Sequence, residues 1–369
     1  CVYAQSENVQ ALWRNVLQGK DCITAVPDYA FNIDDYYDSD KSAKDKTYCK
    51  KGGFIPEIAF DPMEFGIPPK QLDSISAQQL FALELAKRAL LDAGLYGEQA
   101  RPFNKAKTGV ILAATLGANA FALSERLSLP SIQKILTAVG IEQALIDDVS
   151  ERMLARSPDW DESAFPGFLA NIIAGRIANR FDFGGTNFVL DAACAGSLAA
   201  IKQAIYELRS GDCDVVLTGG VNVSNSALDF VSFSKTPALA PSGNIRPYDN
   251  DADGTLLGDG IGMLVLKRLD DAVRDKDTIY AVIKEIASAS DGRSKSIYAP
   301  NMAGQLSTLE QTYGKADIDP SSIGLIEGHG TGTAAGDLCE VSTLKAFFPH
   351  NEISGQHIAL GSIKSQFGH

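Results

Sequence analysis

Short apolar runs rich in β-branched residues recur along this chain, separated by helix-length amphipathic stretches. "TGVILAAT", "NFVLDA", "DVVLTGG", "GMLVLKRL", "YAVIKEIAS", "IGLIEGHG" and "HIALGSIKS" each lead into small or polar residues. The pattern predicts buried strands that end in loops. By contrast, "AQQLFALELAKRALLDAG" places Leu80, Leu83, Ala86, Leu90 and Leu91 at helical spacing and stops at Gly94, which predicts a helix. Alternation of this kind is resolved by packing helices on a sheet, so an α/β fold is expected rather than an all-α or all-β one.

A chain of 369 residues, 45% hydrophobic and 21% charged, can bury a core of two or three domain-sized units. Its 33 basic residues stand against 46 acidic ones, a net charge of -13, so the electrostatic footprint of a nucleic-acid binder is missing. Even "GVILAATLGANAFAL" is interrupted by Asn119 and falls short of the roughly 20 apolar residues that span a bilayer. A soluble protein that engages neither nucleic acid nor membrane is expected. Cysteines at 1, 22, 49, 194, 213 and 339 are too sparse for a disulfide scaffold, and none forms C-x-x-C. Reduced thiols and a cytoplasmic location follow as expectations. The chain starts at Cys1 without a signal peptide and stops after "KSQFGH", which reads as a fragment cut at both ends.

Two long polar excursions, "DYAFNIDDYYDSDKSAKDKTYCKKGGF" and "SKTPALAPSGNIRPYDNDADGTLLGDG", interrupt the pattern. They are read either as rims of a functional site or as linkers. "GDGIG", Gly258 to Gly262, superficially resembles a nucleotide-binding loop but precedes a strand-like run instead of opening a helix, and nucleotide binding is not expected there.

In "DAACAGSLAAI", Asp191 to Ile201, one cysteine stands among alanines, a glycine and a serine. The strand candidate "NFVLDA" precedes it, and Leu198, Ile201, Ile205 and Leu208 follow at helical spacing until Gly211. Cys194 is therefore predicted on a strand-to-helix turn. There the orphan N–H groups and positive end of a helix favour a thiolate, and small neighbours allow a tight turn and close approach of a substrate. This is nucleophile-elbow geometry with sulfur in place of a hydroxyl. Taken alone, the stretch fits a small buried structural cysteine as well as a nucleophile.

A thiolate nucleophile also needs a proton handler and a stabiliser of charge, so the four histidines decide between these readings. His329 in "LIEGHGTGT" and His369 at the end of "IALGSIKSQFGH" each follow a strand candidate in a glycine-containing turn. Glycines at 328, 330 and 332 are read as opening room for a substrate around the imidazole. His350 and His357 flank the polar "NEISGQ" and are read as surface residues. No pair of Cys or His has the close spacing of a zinc site, so no metal is expected.

These residues resemble the β-ketoacyl synthase (ketosynthase) domains of polyketide and fatty-acid synthases. The matching motifs are "DAACAGSLAAI", "EGHGTGTAAGD" and "GSIKSQFGH", and the similarity runs from "CVYAQSENVQALWRNVLQGKDCITAVP" onward. Within that family, "YYDSDKSAKDKTYCKKGGF", "MEFGIPP", "SFSKTPALAPSGNIRPYDNDADG" and "SDGRSKSIYAP" look most like the ketosynthase of multidomain polyunsaturated-fatty-acid synthases. The resemblance implies a thiolase-like fold, layered αβαβα with two pseudo-duplicated halves. The N-terminal half, carrying the nucleophile, would span 1–275. The C-terminal half, carrying the histidine loops and left incomplete, would span 276–369.

It also implies a role for each site residue. Cys194 would accept an acyl group from the phosphopantetheine arm of an acyl carrier protein, with no separate cofactor. His329 and His369 would stabilise the enolate of a decarboxylating malonyl unit, and Lys364 would support them electrostatically. Glu327, Asp337 and Glu340 match acidic positions near the histidine loop, where structural salt bridges are at least as well supported as catalysis. Departures are Gly328 where alanine is usual, Asp259 where glutamate is usual and Thr186 where proline is common. The family's first strand begins before the position of Cys1, and a strand beyond the position of His369 normally gives a second oxyanion donor, so the fragment is not expected to act alone. Neighbouring acyltransferase and other synthase domains and a homodimer are implied partners. The alternatives are the ketosynthase of an enediyne or glycolipid synthase, a thiolase-like acyl-coenzyme A enzyme, and a non-catalytic chain-length partner.

Overall fold

The computed structural model describes all residues except 116–118, 156–158, 160, 161, 163, 224, 294, 295, 297 and 349–356, so His350 lies outside the described residues. Two compact units share the chain. One comprises Cys1–Glu57, Asn225–Gly260 and Ile279–His369, and is called here the histidine unit; the other, the cysteine unit, comprises Ile58–Ser224 and Ile261–Thr278.

In the cysteine unit the apolar runs become strands as predicted: β1 (Thr108–Ala114), β2 (Asn187–Leu190), β3 (Val215–Asn222) and β4 (Gly260–Leu266). They lie side by side in the order β4-β3-β1-β2. β1 runs parallel to both neighbours, with Val110 opposite Asn187 on one side and Leu217 on the other. Every residue of β1 is buried, as a parallel strand covered on both faces requires.

Helices α1 (Ala77–Asp92), α2 (Asn171–Phe181) and α3 (Gly196–Ser210) accompany these strands. α1 starts where Ser76 accepts a hydrogen bond from the Gln79 N–H, and it buries Leu83, Ala86 and Leu90, while Leu91 faces solvent. α3 ends at Gly211, whose φ of 81° suits glycine at a helix terminus. Ala200, Ala204 and Leu208 of α3 pack on Ile111, Ala113 and Val216 of the sheet.

The histidine unit holds a parallel pair, β5 (Leu325–Glu327) and β6 (Ala359–Gly361), with helices α4 (Met302–Ala316), α5 (Ala334–Phe347) and the short α6 (Lys364–Phe367). β5 and β6 form where expected but are not buried, since Leu325 is 68% exposed and two strands alone leave faces open. A second correction concerns "YAVIKEIAS". Residues 280–288 form no strand, and Tyr280 and Val282 are 78% and 48% exposed. An apolar run makes a ladder only where adjacent backbone takes its N–H and C=O groups, and no described strand lies against this one.

Both long excursions are structured. Tyr48 from the first donates to the Leu239 carbonyl of the second, and Thr47 shares a hydrogen bond with Ser234. Tyr48, Cys49 and Phe54 join Phe230, Leu239 and Leu256 in one buried cluster.

Candidate active site

Cys194 sits where sequence spacing placed it, between β2 and α3, in a single 3-10 turn formed by Ala193–Ala195. The turn is tight. Ala193 takes a left-handed φ of 47°, a conformation that a side chain disfavours, and the Asp191 carboxylate holds it by accepting from the Ala193 N–H at 2.8 Å. The bare positions have a local cause. A β-carbon at Gly196 would come within 3.0 Å of the Ala113 methyl, and one at Gly220 within 3.1 Å of the Ser197 β-carbon. Small residues therefore let the start of α3 lie directly on β1 and β3. Cys194 itself is exposed, which removes the reading of it as a small buried hydrophobe.

In the histidine unit, β5 delivers His329 and β6 delivers the segment from Ser362 to His369. The Gly328 N–H donates to the Gly361 carbonyl at 2.8 Å, and the Glu327 carboxylate accepts from the Ile363 N–H at 2.8 Å. Beyond α6, His369 is held on both sides of its backbone. Its N–H donates to Leu256 O at 2.8 Å, and its carbonyl accepts from the Gly258 N–H at 2.9 Å. "GDGIG" thus spends its first N–H on a histidine, not on a phosphate. Phe367 anchors the segment, buried against Ala4 and Cys22.

The imidazoles of His329 and His369 meet edge to face, their ring centres 5.1 Å apart. Burial lowers the pKa of His329, and the Lys364 ammonium lowers it further, against the opposing pull of Glu340 and Asp337. His369 is pushed down to about 3, first by burial and then by His329 and Lys364. Both rings are therefore neutral at physiological pH, each with one N–H to donate and one lone pair. The structure thus brings His329, His369 and Lys364 together in one unit, while Cys194 belongs to the other. His357 is exposed, as read from its polar surroundings.

The acidic residues around the loop, whose role the sequence leaves open between salt bridges and catalysis, accept hydrogen bonds from backbone N–H groups. Glu340 accepts from the His329 N–H at 2.6 Å and the Gly330 N–H at 2.9 Å, and Asp337 accepts from Gly332 N–H at 3.2 Å. They clamp backbone. Tyr248 completes the network, its N–H donating to Asp337 at 2.7 Å and its hydroxyl to Glu340 at 3.0 Å. Tyr248 lies in a stretch that carries the family resemblance, but the sequence gives it no role, because its partners lie about ninety positions away. The glycines of the loop also differ from expectation. β-carbons at 328, 330 and 332 would meet Tyr248, Ser362 and the Gly254 carbonyl, so the space they leave is filled by protein.

An exposed cysteine on a strand-to-helix elbow and a separate pair of neutral imidazoles describe an acyl-transfer fold of the thiolase-like α/β class, and similarity to known proteins agrees. The "Beta-ketoacyl synthase, N-terminal domain" matches residues 1–272 and the "Beta-ketoacyl synthase, C-terminal domain" matches residues 280–369. The chain belongs to the β-ketoacyl synthase family, as an acyltransferase domain of the ketosynthase kind found in polyunsaturated-fatty-acid and polyketide synthases.

Over 364 residues it is 42% identical to one polypeptide of the polyunsaturated fatty acid synthase of Thraustochytrium sp., covering 98% of this chain and 13% of that protein. Over 376 residues it is 32% identical to the polyketide synthase PksN of Bacillus subtilis, covering all of this chain and 6% of that one. The chain thus spans a small part of the length of these relatives. Among solved structures, the OzmH KS7 ketosynthase domain of Streptomyces albus superposes with a TM-score of 0.83 at 29% identity, over all of this chain and 58% of that one. A PfaC ketosynthase–chain length factor gives 0.85 at 30% identity, over all of this chain and 39% of that one. No helix among the described residues is long and apolar enough to cross a membrane.

Proposed function

We propose that this domain performs decarboxylative Claisen condensation on carrier-bound substrates. The observation that carries the reading is the contact of two imidazoles, 5.1 Å apart and both driven towards neutrality. Cys194 takes an acyl group as a thioester from the phosphopantetheine arm of an acyl carrier protein. Malonyl-carrier protein then enters, its C–C bond to the carboxylate breaks, and carbon dioxide leaves. The electron pair is held as an enolate by N–H donors from His329 and His369, which do not reorganise as charge develops. The enolate carbon attacks the acyl carbonyl, the C–S bond breaks, and the thiolate returns to Cys194. The product is a β-ketoacyl chain two carbons longer.

Burial, reinforced by the Lys364 ammonium, keeps both rings unprotonated and so able to donate to an anion without themselves becoming cations. The Cys194 N–H serves as one donor to the oxyanion of the acyl-transfer step. The 42% identity to a polyunsaturated fatty acid synthase, against 32% to PksN, favours the fatty-acid assembly line over a polyketide one. Carrier, acyltransferase and other synthase domains of the same assembly, a second copy of this domain, and a cytoplasmic setting belong to this reading, which requires no metal or separate cofactor.

The test uses the full-length synthase. Cys194→Ala abolishes acyl loading and leaves malonyl decarboxylation measurable, whereas His329→Ala impairs decarboxylation. Acyl transfer at the wild-type rate by Cys194→Ala would end the proposal.

A further inference from the structure

We propose that Tyr248 is a positioning residue for His329, and that the missing β-carbon of Gly328 is what gives its hydroxyl a seat. Glu340 is the intermediary. One of its oxygens accepts from the His329 N–H at 2.6 Å; the other accepts from the Gly330 N–H at 2.9 Å and from the Tyr248 hydroxyl at 3.0 Å. A carboxylate with two backbone donors on one loop can still swing about its side-chain torsions. The third donor comes from a different segment and fixes its orientation. Tyr248 is suited to that task, because the Asp337 carboxylate pins its own N–H at 2.7 Å. Burial and the Glu340 charge raise the phenol pKa, so the hydroxyl stays protonated and donates.

The glycines beside His329 account for the fit. A β-carbon on Gly328 would overlap the Tyr248 hydroxyl oxygen and stand 3.2 Å from Glu340 Oε1, and one on Gly330 would stand 3.1 Å from that hydroxyl. Gly330 also has a φ of 43°, so its backbone already favours glycine, whereas Gly328 has no such conformational demand. The requirement at 328 is therefore for volume, and Tyr248 occupies that volume. Alanine at 328 and tyrosine at 248 exclude one another. Removing the hydroxyl leaves the ring carbon Cζ 3.1 Å from such a methyl, a contact that a shift of a few tenths of an ångström relieves.

The inference rests on the reading of His329 as an enolate-binding imidazole, and the experiment separates the two. Wild type, Tyr248→Phe, Gly328→Ala and the double variant of the full-length synthase are compared in carbon dioxide release from malonyl-carrier protein, acyl loading of Cys194 and melting temperature. Tyr248→Phe lowers the decarboxylation kcat about tenfold with loading and KM unchanged. Gly328→Ala lowers it by about a hundredfold or more, and the double variant returns to within about threefold of Tyr248→Phe. That suppression is the signature, since two independent defects would multiply. A double variant no faster than Gly328→Ala, a Gly328→Ala protein at the wild-type rate, or equal losses of loading and decarboxylation would overturn the proposal. If Gly328→Ala does not fold, Tyr248→Phe decides alone, and an undiminished rate overturns it. If His329→Ala releases carbon dioxide normally, the functional reading falls, and the Tyr248–Gly328 coupling is then judged from melting temperatures. Rescue of the Gly328→Ala loss by Tyr248→Phe supports the coupling, and additive losses refute it.

Discussion

The rings of His329 and His369 stand edge to face at 79°, 5.1 Å between centres, although forty positions of chain separate them. Each would suffer if the other were protonated. Burial comes first and lowers the pKa of both rings; the Lys364 ammonium lowers both further, and His329 adds its own penalty to His369. An uncharged pair is what a developing enolate needs, because a neutral N–H donor stabilises the anion without surrendering its proton.

The pH dependence follows with a definite sign. An ordinary histidine titrates near 6.5, whereas His369 in the folded protein titrates at about 3. The folded state therefore resists protonation, and the stability this contributes is complete above about 6.5 and is lost as pH falls from there towards 3. Malonyl decarboxylation by Cys194→Ala synthase should stay level between about pH 8 and pH 6, with no inflection at an ordinary histidine midpoint. A fall centred near 6.5 would show that one ring titrates as an ordinary histidine and is not held neutral by its surroundings.

At the elbow, Gly196 is predicted to be intolerant of side chains because of the facing Ala113 methyl. Gly196→Val forces α3 away from β1 at the end that carries Cys194. Overpacking of this kind costs about 1–3 kcal/mol, so the melting temperature falls and acyl loading slows, while decarboxylation per folded molecule is spared. Ala113→Gly removes the obstructing methyl and should recover part of the loss. Thermal melts of the two single variants and the double variant read this directly, and strictly additive losses would contradict the contact.

Much of this site could be read from sequence, and the parts that could not share a physical cause. The elbow was legible because strand, turn and helix are contiguous, and the spacing of Leu198, Ile201, Ile205 and Leu208 is a local property of one helix. His329 was legible at the end of a strand-like run; His369 was not, because the strand stops at Gly361 and the Lys364–Phe367 helix intervenes, and chain order alone does not state which strands pair. Tyr248 was invisible because its role depends on a carboxylate at position 340 and an absent methyl at 328. Residues 280–288 depart from the expected strand because an apolar run reports hydrophobicity and does not fix whether its backbone joins a sheet.

Asp259 carries a second pH signature of opposite sense. Its carboxyl is buried, and burial pushes it up to about 6 even though the Asn225 N–H and side-chain amide donate to it at 3.0 and 2.8 Å. A raised carboxyl pKa means that the folded state holds its proton longer than the unfolded chain. Its contribution is complete below about 4 and is lost as pH rises through 6, a swing of about 3 kcal/mol. Asp259→Asn keeps an oxygen to accept from Asn225 and removes the charge. Melting temperatures at pH 5 and pH 8 should therefore converge in the variant relative to wild type, and an unchanged difference would assign the pH dependence elsewhere.

Gly368 offers the sharpest separation of the two half-reactions. Its φ of 87° lies in the left-handed region, and a β-carbon there would come within 2.8 Å of both the Gly258 α-carbon and the Leu257 carbonyl oxygen. Strain and collision act together, so Gly368→Ala must push the segment off Leu256–Gly258 and break the two backbone hydrogen bonds that hold His369. The residues displaced belong to the histidine unit, whereas Cys194 and its turn belong to the cysteine unit. Malonyl decarboxylation should fall by about a hundredfold, the scale of losing one preorganised donor, with acyl loading close to the wild-type rate. Radiolabelled acyl transfer and carbon dioxide release, measured on the same preparation, test the separation. Parallel losses in both would mean that His369 also serves the acyl-transfer step, and that the division of labour between the two units is not the one described.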